Sequence, residues 1–278
     1  MTQEENETAG SGQGSRITIG RRSLLKNVVV GGLGVSVIGV LSESMAKASQ
    51  PATTTTSAPT HQWAMIIDLR VCNGCKLCTT ACQTAHYLHE DQTWIKVFSM
   101  ETVTGDQYFM PRPCMMCEDP ACVPVCPVGA NFRTPEGITL VDQNKCVGTR
   151  ICMNACPYEV RYFNWENPVP APRQPFRQEP AWPVPQVKGT VGKCIDCAAM
   201  LPSGQLPECV THCPMGVIYF GDLNSDVAVN GLGDTVKFST FVSENQAVVF
   251  KESYGTHPRV YYIPGDGQDL ESNSTVSS

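Results

Sequence analysis

Apolar residues in this chain fall in short runs, and the runs predict short elements. The longest, Val28–Leu41, has 14 residues including four glycines. As a helix it would cover roughly 21 Å, short of a bilayer core of about 30 Å, so it does not read as a permanent span. Trp63–Leu69 and Gly137–Asp142 read as strands, each delivering a cysteine-rich loop, and Gly216–Phe220, Gln246–Lys251 and Arg259–Ile263 read as three more. Asn167–Val187 holds seven prolines in 21 residues, which forbids regular helix and central strand. It reads as an extended excursion, and Phe176 and Trp182 within it favour docking on a partner.

The ends follow the same logic. Arg21-Arg22-Ser23-Leu24-Leu25-Lys26 precedes the Gly-rich apolar run and Ala46-Lys47-Ala48 follows it. That order is expected of a twin-arginine-type signal over 1–48, a retained anchor being the alternative. It places the protein in the periplasm or on the outer face of the cytoplasmic membrane. Residues 49–61 read as a flexible linker, 62–264 as the folded domain with its insertion at 167–187, and the Ser/Gly/Asp-rich 265–278 as a disordered tail.

With 278 residues, 17% charged and 42% apolar, the chain is neither a disordered tail nor a coiled coil. A net charge of −6, without a long Lys/Arg run, gives no support to a nucleic-acid partner. Fifteen cysteines change the picture. They fall in four bursts: Cys72, Cys75, Cys78, Cys82; Cys114, Cys117, Cys122, Cys126; Cys146, Cys152, Cys156; and Cys194, Cys197, Cys209, Cys213. The first is C-x2-C-x2-C-x3-C, the bacterial ferredoxin run in which the fourth cysteine serves the other cluster of a pair. The second and fourth lengthen the middle and end in Cys126-Pro127 and Cys213-Pro214, followed by Gly129 and Gly216. Cys82 departs from this pattern, since Gln83 follows it. Zinc would use two C-x2-C pairs but has no need of the further cysteines. Disulfides cannot pair an odd number of thiols completely.

Sixteen thiolates would serve four cubanes, and the missing one can be located. Aligning Cys146-Val147-Gly148-Thr149-Arg150-Ile151-Cys152-Met153-Asn154-Ala155-Cys156 on the first burst puts Thr149 at the second ligand position. The expectation is a [3Fe–4S] cluster there, or a fourth [4Fe–4S] cluster with a non-cysteine ligand.

These bursts, with Cys126-Pro127-Val128-Gly129-Ala130 and Cys156-Pro157-Tyr158, resemble the four-cluster ferredoxin-like electron-transfer subunits of complex iron–sulfur molybdoenzymes and of alternative complex III. The resemblance spans roughly Gln62–Pro264. It implies an α+β fold of two tandem bacterial-ferredoxin-like dicluster modules with loop-rich insertions, pairing burst one with four and two with three. It further implies that Cys72, Cys75, Cys78 and Cys213 hold one [4Fe–4S] cluster. Cys194, Cys197, Cys209 and Cys82 would hold a second, and Cys114, Cys117, Cys122 and Cys156 a third. Cys146, Cys152 and Cys126 would hold the [3Fe–4S] cluster; spacing alone does not separate these exchanged ligand sets from unexchanged ones.

The implied role is relaying single electrons between an integral-membrane quinone-reactive subunit and a molybdopterin, haem or other redox subunit. A free-standing periplasmic multicluster ferredoxin is the alternative. No catalytic site of its own is expected: His86, His89 and His212 adjoin bursts without forming an acid–base arrangement, and read as surface or packing residues. Lys145, Arg150, Arg161 and Lys193 flank ligands and either raise local potentials or sit in solvent paired with acids. Met115-Met116 reads as packing on a cluster.

Overall fold

The computed structural model describes residues 61–167, 169–170 and 184–271. The expected signal (1–48), residues 49–60 of the linker, Phe176 and Trp182 of the excursion, and residues 272–278 lie outside the described residues.

The chain enters through β1 (Trp63–Asp68), and the first cysteine loop leads into α1 (Leu77–His86). A hairpin follows, β2 (Lys96–Glu101) against β3 (Gln107–Arg112). A shorter one, β4 (Asn131–Arg133) against β5 (Thr139–Val141), carries the chain from the second burst to the third, which opens α2 (Ile151–Asn154). β6 (Tyr162–Phe163) pairs with β7 (Val191–Gly192) across the base of the proline-rich excursion. After the fourth burst come α3 (Glu208–Thr211), β8 (Ile218–Asp222), β9 (Val227–Asn230) and β10 (Thr235–Lys237). The described elements end with α4 (Phe238–Glu244), β11 (Val248–Val249) and β12 (Val260–Ile263).

Why β1 reads as a nearly unbroken apolar run is clear from its place. It lies inside a six-stranded sheet of order β10-β9-β8-β1-β12-β11, antiparallel to β8 and parallel to β12. A strand covered on both faces needs apolar side chains at every step. Met65 and Ile67 point into the cysteine-bearing core, while Ala64 and Ile66 point the other way, onto a smaller cluster around Phe238 of α4. Full burial of Ile66 and of Ile67 contributes about 1.5–3 kcal/mol each.

On the core side α1 packs against α3, bringing the first burst to the fourth. Cys78, Cys82 and His86 form the buried stripe of α1, spaced at i, i+4 and i+8. α1 continues past Cys82 because Gln83, not proline, follows it. The Gln83 amide instead donates to the carbonyls of Gln92 (2.9 Å) and Glu90 (3.1 Å), folding the next loop onto the helix. By contrast α2 and α3 end before the Cys156-Pro157 and Cys213-Pro214 steps.

Two boundaries read from the sequence need correction. His61, assigned to the linker, is held by Asp222 at 3.0 Å. Residues 265–271, assigned to the tail, are tied to the domain: the Gly267 carbonyl accepts from Val103 N at 3.0 Å, and Leu270 is buried in the core. One apolar side chain and a few backbone bonds suffice to dock a segment whose composition is otherwise polar.

Candidate metal centres

The cysteine loops repeat in backbone conformation as well as in spacing. Gly74 and Gly148 both sit at φ +72°, and the residues two places on, Lys76 and Arg150, at +61° and +62°, immediately before α1 and α2. Thr149 therefore stands in its loop where Cys75 stands in the first. The second and fourth bursts form another pair. Met116 and Asp196 each turn left-handed within C-x2-C, and Gly129 and Gly216, both at φ +61°, donate to the carbonyls of Cys126 and Cys213 at 3.1 Å. At such angles a side chain is strained, which favours glycine after Cys126-Pro127-Val128 and Cys213-Pro214-Met215, whereas Glu159 takes the same turn, at φ +55°, after Cys156-Pro157-Tyr158.

All fifteen cysteines are free thiols, most of them wholly or partly buried. One pocket is lined by Cys72, Cys75, Cys78 and Cys213 together with Gly74 and Pro214. Burial pushes the Cys78 thiol up to about 12, and its neighbours Cys213 and Cys72 push the same way. Cys82 turns from this pocket toward Cys194 and Cys197. Burial and then Cys197, Cys82 and Cys194 raise Cys209. Cys117 is driven to about 12 by burial and by Cys114, with Cys122 and Cys156 adding to it against a hydrogen bond from Thr256. These are the electrostatic effects of thiols gathered in a dry interior.

Cys152 is the buried residue of α2, while Cys126 and Cys146 lie on loops tied through the backbone. The Asp142 N–H donates to Ala130 O at 2.7 Å and the Cys146 N–H to Asp142 O at 3.0 Å. Sulfur acceptors are already served here, from Ala130 N to Cys126 Sγ (3.2 Å) and from Val191 N to Cys146 Sγ (3.5 Å). For Cys126, burial raises the thiol, but the amides of Asn131, Val128, Ala130 and Gly129 outweigh it and hold it below the usual range.

Thiols of different bursts also act on one another: Cys78 adds to the rise of Cys82 and Cys209, and Cys114 to that of Cys194. Burial lowers the Arg161 guanidinium, but Cys122, Cys152, Cys114 and Cys156 outweigh it and raise it.

The donor chemistry fits anionic iron–sulfur clusters. Arg161 is only 7% exposed, and its guanidinium donates to Cys122 Sγ (2.8 Å) and Asn131 Oδ1 (2.8 Å). Lys193 is 1% exposed, with Nζ on the carbonyls of Thr139 and Cys194. Buried cations require counter-charge. Among the described residues neither makes an ion pair with a carboxylate within 4.0 Å; the buried Asp196 carboxylate couples to Lys193 beyond that distance, and anionic clusters held by the thiols would supply counter-charge to both cations. No three His, Cys, Asp or Glu among the described residues converge on a single metal ion, as a zinc site would need.

Other residues fall less uniformly. His86 is buried, its ring tilted at 33° against Trp94 with centroids 4.4 Å apart and Nε2 3.3 Å from Cys197 Sγ; burial lowers it to about 4. Packing was expected of His86, but contact with a candidate ligand was not. The i, i+4, i+8 stripe with Cys78 and Cys82 was the signal for it. His89 bonds the Asn167 carbonyl (2.8 Å) and His212 pairs with Glu208 (3.1 Å), both at the surface. Lys145 pairs with Asp142 at 3.2 Å, and Arg150 lies over the Phe163 and Trp165 rings. For Arg161 and Lys193 the solvated alternative does not hold. Met115 and Met116 are buried, the first 4.0 Å from Tyr262 Oη and the second accepting from Thr139 N.

Fold and site together define an iron–sulfur protein of the ferredoxin kind: an α+β domain whose free thiols bind [4Fe–4S] clusters. Residues 105–171 match the 4Fe-4S dicluster domain family. A selenate reductase subunit of Mesobacillus selenatarsenatis is 36% identical over 219 residues, 73% of this chain and 72% of that one. A tetrathionate reductase subunit of Salmonella typhimurium is 33% identical across 74% of each chain. The menaquinone reductase iron-sulfur cluster-binding subunit of Nitratidesulfovibrio vulgaris is 31% identical across 73% of this chain and 88% of its own. The chain belongs to the family of iron–sulfur electron-transfer subunits of reductase complexes.

Proposed function

We propose that the protein relays single electrons along four clusters between a membrane quinone-reactive subunit and a molybdopterin, haem or other redox subunit. The observation that carries this is the meeting of the first and fourth bursts, whose Cys72, Cys75, Cys78 and Cys213 line one pocket, in a chain of the iron–sulfur reductase-subunit family. Cys72, Cys75, Cys78 and Cys213 would hold the first cluster, and Cys82, Cys194, Cys197 and Cys209 the second. Cys114, Cys117, Cys122 and Cys156 would hold the third. Cys126, Cys146 and Cys152 would hold a [3Fe–4S] cluster, with Thr149 at the position lacking a thiolate. Such clusters take up and release one electron at a time, at potentials set by cluster type, charge, hydrogen bonds to sulfur and burial.

The backbone repeat supports two tandem modules, burst one with four and burst two with three. Each keeps an antiparallel strand pair beside its loops, β1 with β8 and β4 with β5. Both ends of the line reach the surface through apolar residues. Val71, Leu77 and Met215 are exposed around the first group, and Val128, Val147 and Ile151 around the last. Exposed apolar collars beside redox centres suit docking by a partner at either end. The Arg21-Arg22 segment supports export of the folded, cluster-loaded chain by a twin-arginine-type route to the outer face of the membrane.

A redox titration of anaerobically purified protein, followed by paramagnetic resonance, tests cluster number and type; four centres, one with a three-iron signal, are expected. Co-purification with a membrane subunit from detergent-solubilised membranes tests the complex. A colourless, zinc-containing protein would overturn the relay.

A further inference from the structure

We propose that Lys193 and Arg161 are potential-setting cations at two junctions of the relay, Lys193 between the second and third centres and Arg161 between the third and fourth. The inference rests on the relay reading above and concerns how its steps are graded.

The placement is specific. Lys193 precedes Cys194 of the second group, and its ammonium is held by the Cys194 carbonyl on one side and the Thr139 carbonyl of β5 on the other. Thr139 in turn donates its N–H to Met116 Sδ, between Cys114 and Cys117 of the third group. Arg161 donates to Cys122 Sγ directly and is fixed by Asn131, whose own amide donates to the Cys122 carbonyl at 2.9 Å. Asn131 follows Ala130, whose N–H donates to Cys126 Sγ of the last group at 3.2 Å.

Around the first group the arrangement differs. Lys76, the cation of its loop, is exposed to solvent, where water screens it. Reduction adds negative charge, so a fixed cation in a dry interior favours the reduced form of each centre that it faces. A charge set between two centres moves both potentials together, keeping the step between them small while lifting the pair above the first centre.

The test is a redox titration of the full chain with its clusters assembled, comparing wild type with Arg161→Gln, Arg161→Lys and Lys193→Gln, with iron and sulfide measured in each. Arg161→Gln should reduce the reduction equilibrium constant of the third and fourth centres about tenfold, or about 59 mV for one electron. Lys193→Gln should do the same to the second and third, and the first should move in neither. Arg161→Lys keeps the charge and should stay within about threefold of wild type. Unchanged potentials in a fully loaded Lys193→Gln or Arg161→Gln protein, or an equal shift of all four centres, would overturn the proposal. So would a tenfold loss in Arg161→Lys, which would assign the effect to the bond on Cys122 instead of the charge. Wild-type protein without iron and sulfide would overturn the relay itself.

Discussion

His86 Nε2 stands 3.3 Å from Cys197 Sγ, joining residues 111 positions apart in the chain. The contact exists because α1 runs four residues beyond Cys82, which a proline at position 83 would have prevented. An N–H aimed at a ligand sulfur stabilises the more negative, reduced state. His86→Leu should therefore lower the potential of the centre served by Cys197 by roughly 40 mV, equivalent to about 1 kcal/mol of differential hydrogen bonding. A titration in which that centre does not move, at full iron content, would remove His86 from its tuning.

Glycines that share a left-handed backbone should differ sharply in tolerance. A Cβ on Gly148 would strike the Gly189 carbonyl and come within 2.9 Å of the Phe163 ring, on top of the strain of φ +72°. A Cβ on Gly129 at φ +61° would meet nothing within 4 Å. Gly129→Ala should cost only the left-handed strain, about 1–2 kcal/mol, and keep every cluster. Gly148→Ala should lose the last centre, read as iron content and as disappearance of its paramagnetic signal.

How much of this was legible in the sequence follows from the range of each interaction. The cysteine bursts are local patterns, and so are the Cys-Pro-x-Gly ends of the second and fourth and the threonine at the position aligned with Cys75. The strand at Trp63–Leu69 was readable because a doubly covered strand is apolar at every step. The β2–β3 hairpin was missed, although Thr104-Gly105-Asp106 between apolar runs is a turn signal. Arg161 and Lys193 were not distinguishable from solvated cations, because the partners that hold them, Asn131 and Cys122 for one and the Thr139 and Cys194 carbonyls for the other, are mostly distant in sequence and leave no mark on hydropathy. That Cys213, and not Cys82, joins Cys72, Cys75 and Cys78 in lining one pocket depends on α1 packing against α3, a tertiary fact.

Asp222 should be a measurable part of the domain's stability. Its carboxylate accepts from Gln62 N (2.7 Å) and Asn224 N (3.0 Å) and faces His61 (3.0 Å), pinning the start of β1 to the end of β8. Partial burial raises the group, but the bonds from Gln62, His61, Asn224 and Ser225 outweigh it and leave it below the ordinary carboxylate range. The sign follows from linkage: the native state holds the proton less tightly than the unfolded one. The contribution is therefore full above the unfolded value of about 3.9 and lost as pH falls through the native one. Asp222→Asn should lower stability by about 1–2 kcal/mol at pH 7 and far less at pH 3, measured by anaerobic denaturant unfolding. Equal losses at both pH values would show that shape, not charge, matters there.

Thr149→Cys tests the vacancy directly. Gly148 and Arg150 hold the loop in the conformation that Gly74 and Lys76 give the first, so a thiol at 149 enters where Cys75 stands in that loop. Thr149 is exposed, as Cys75 is, so the substitution disturbs no packed neighbour. A fourth thiolate there should allow the centre to keep one more iron, raising the content by about one per chain and replacing the three-iron signal by a four-iron one. Because a thiolate adds negative charge, the potential of that centre should also fall. Thr149→Ser offers only an oxygen, as threonine does, and should leave the signal unchanged. If cysteine and serine behave alike, the alignment of the third burst on the first is wrong.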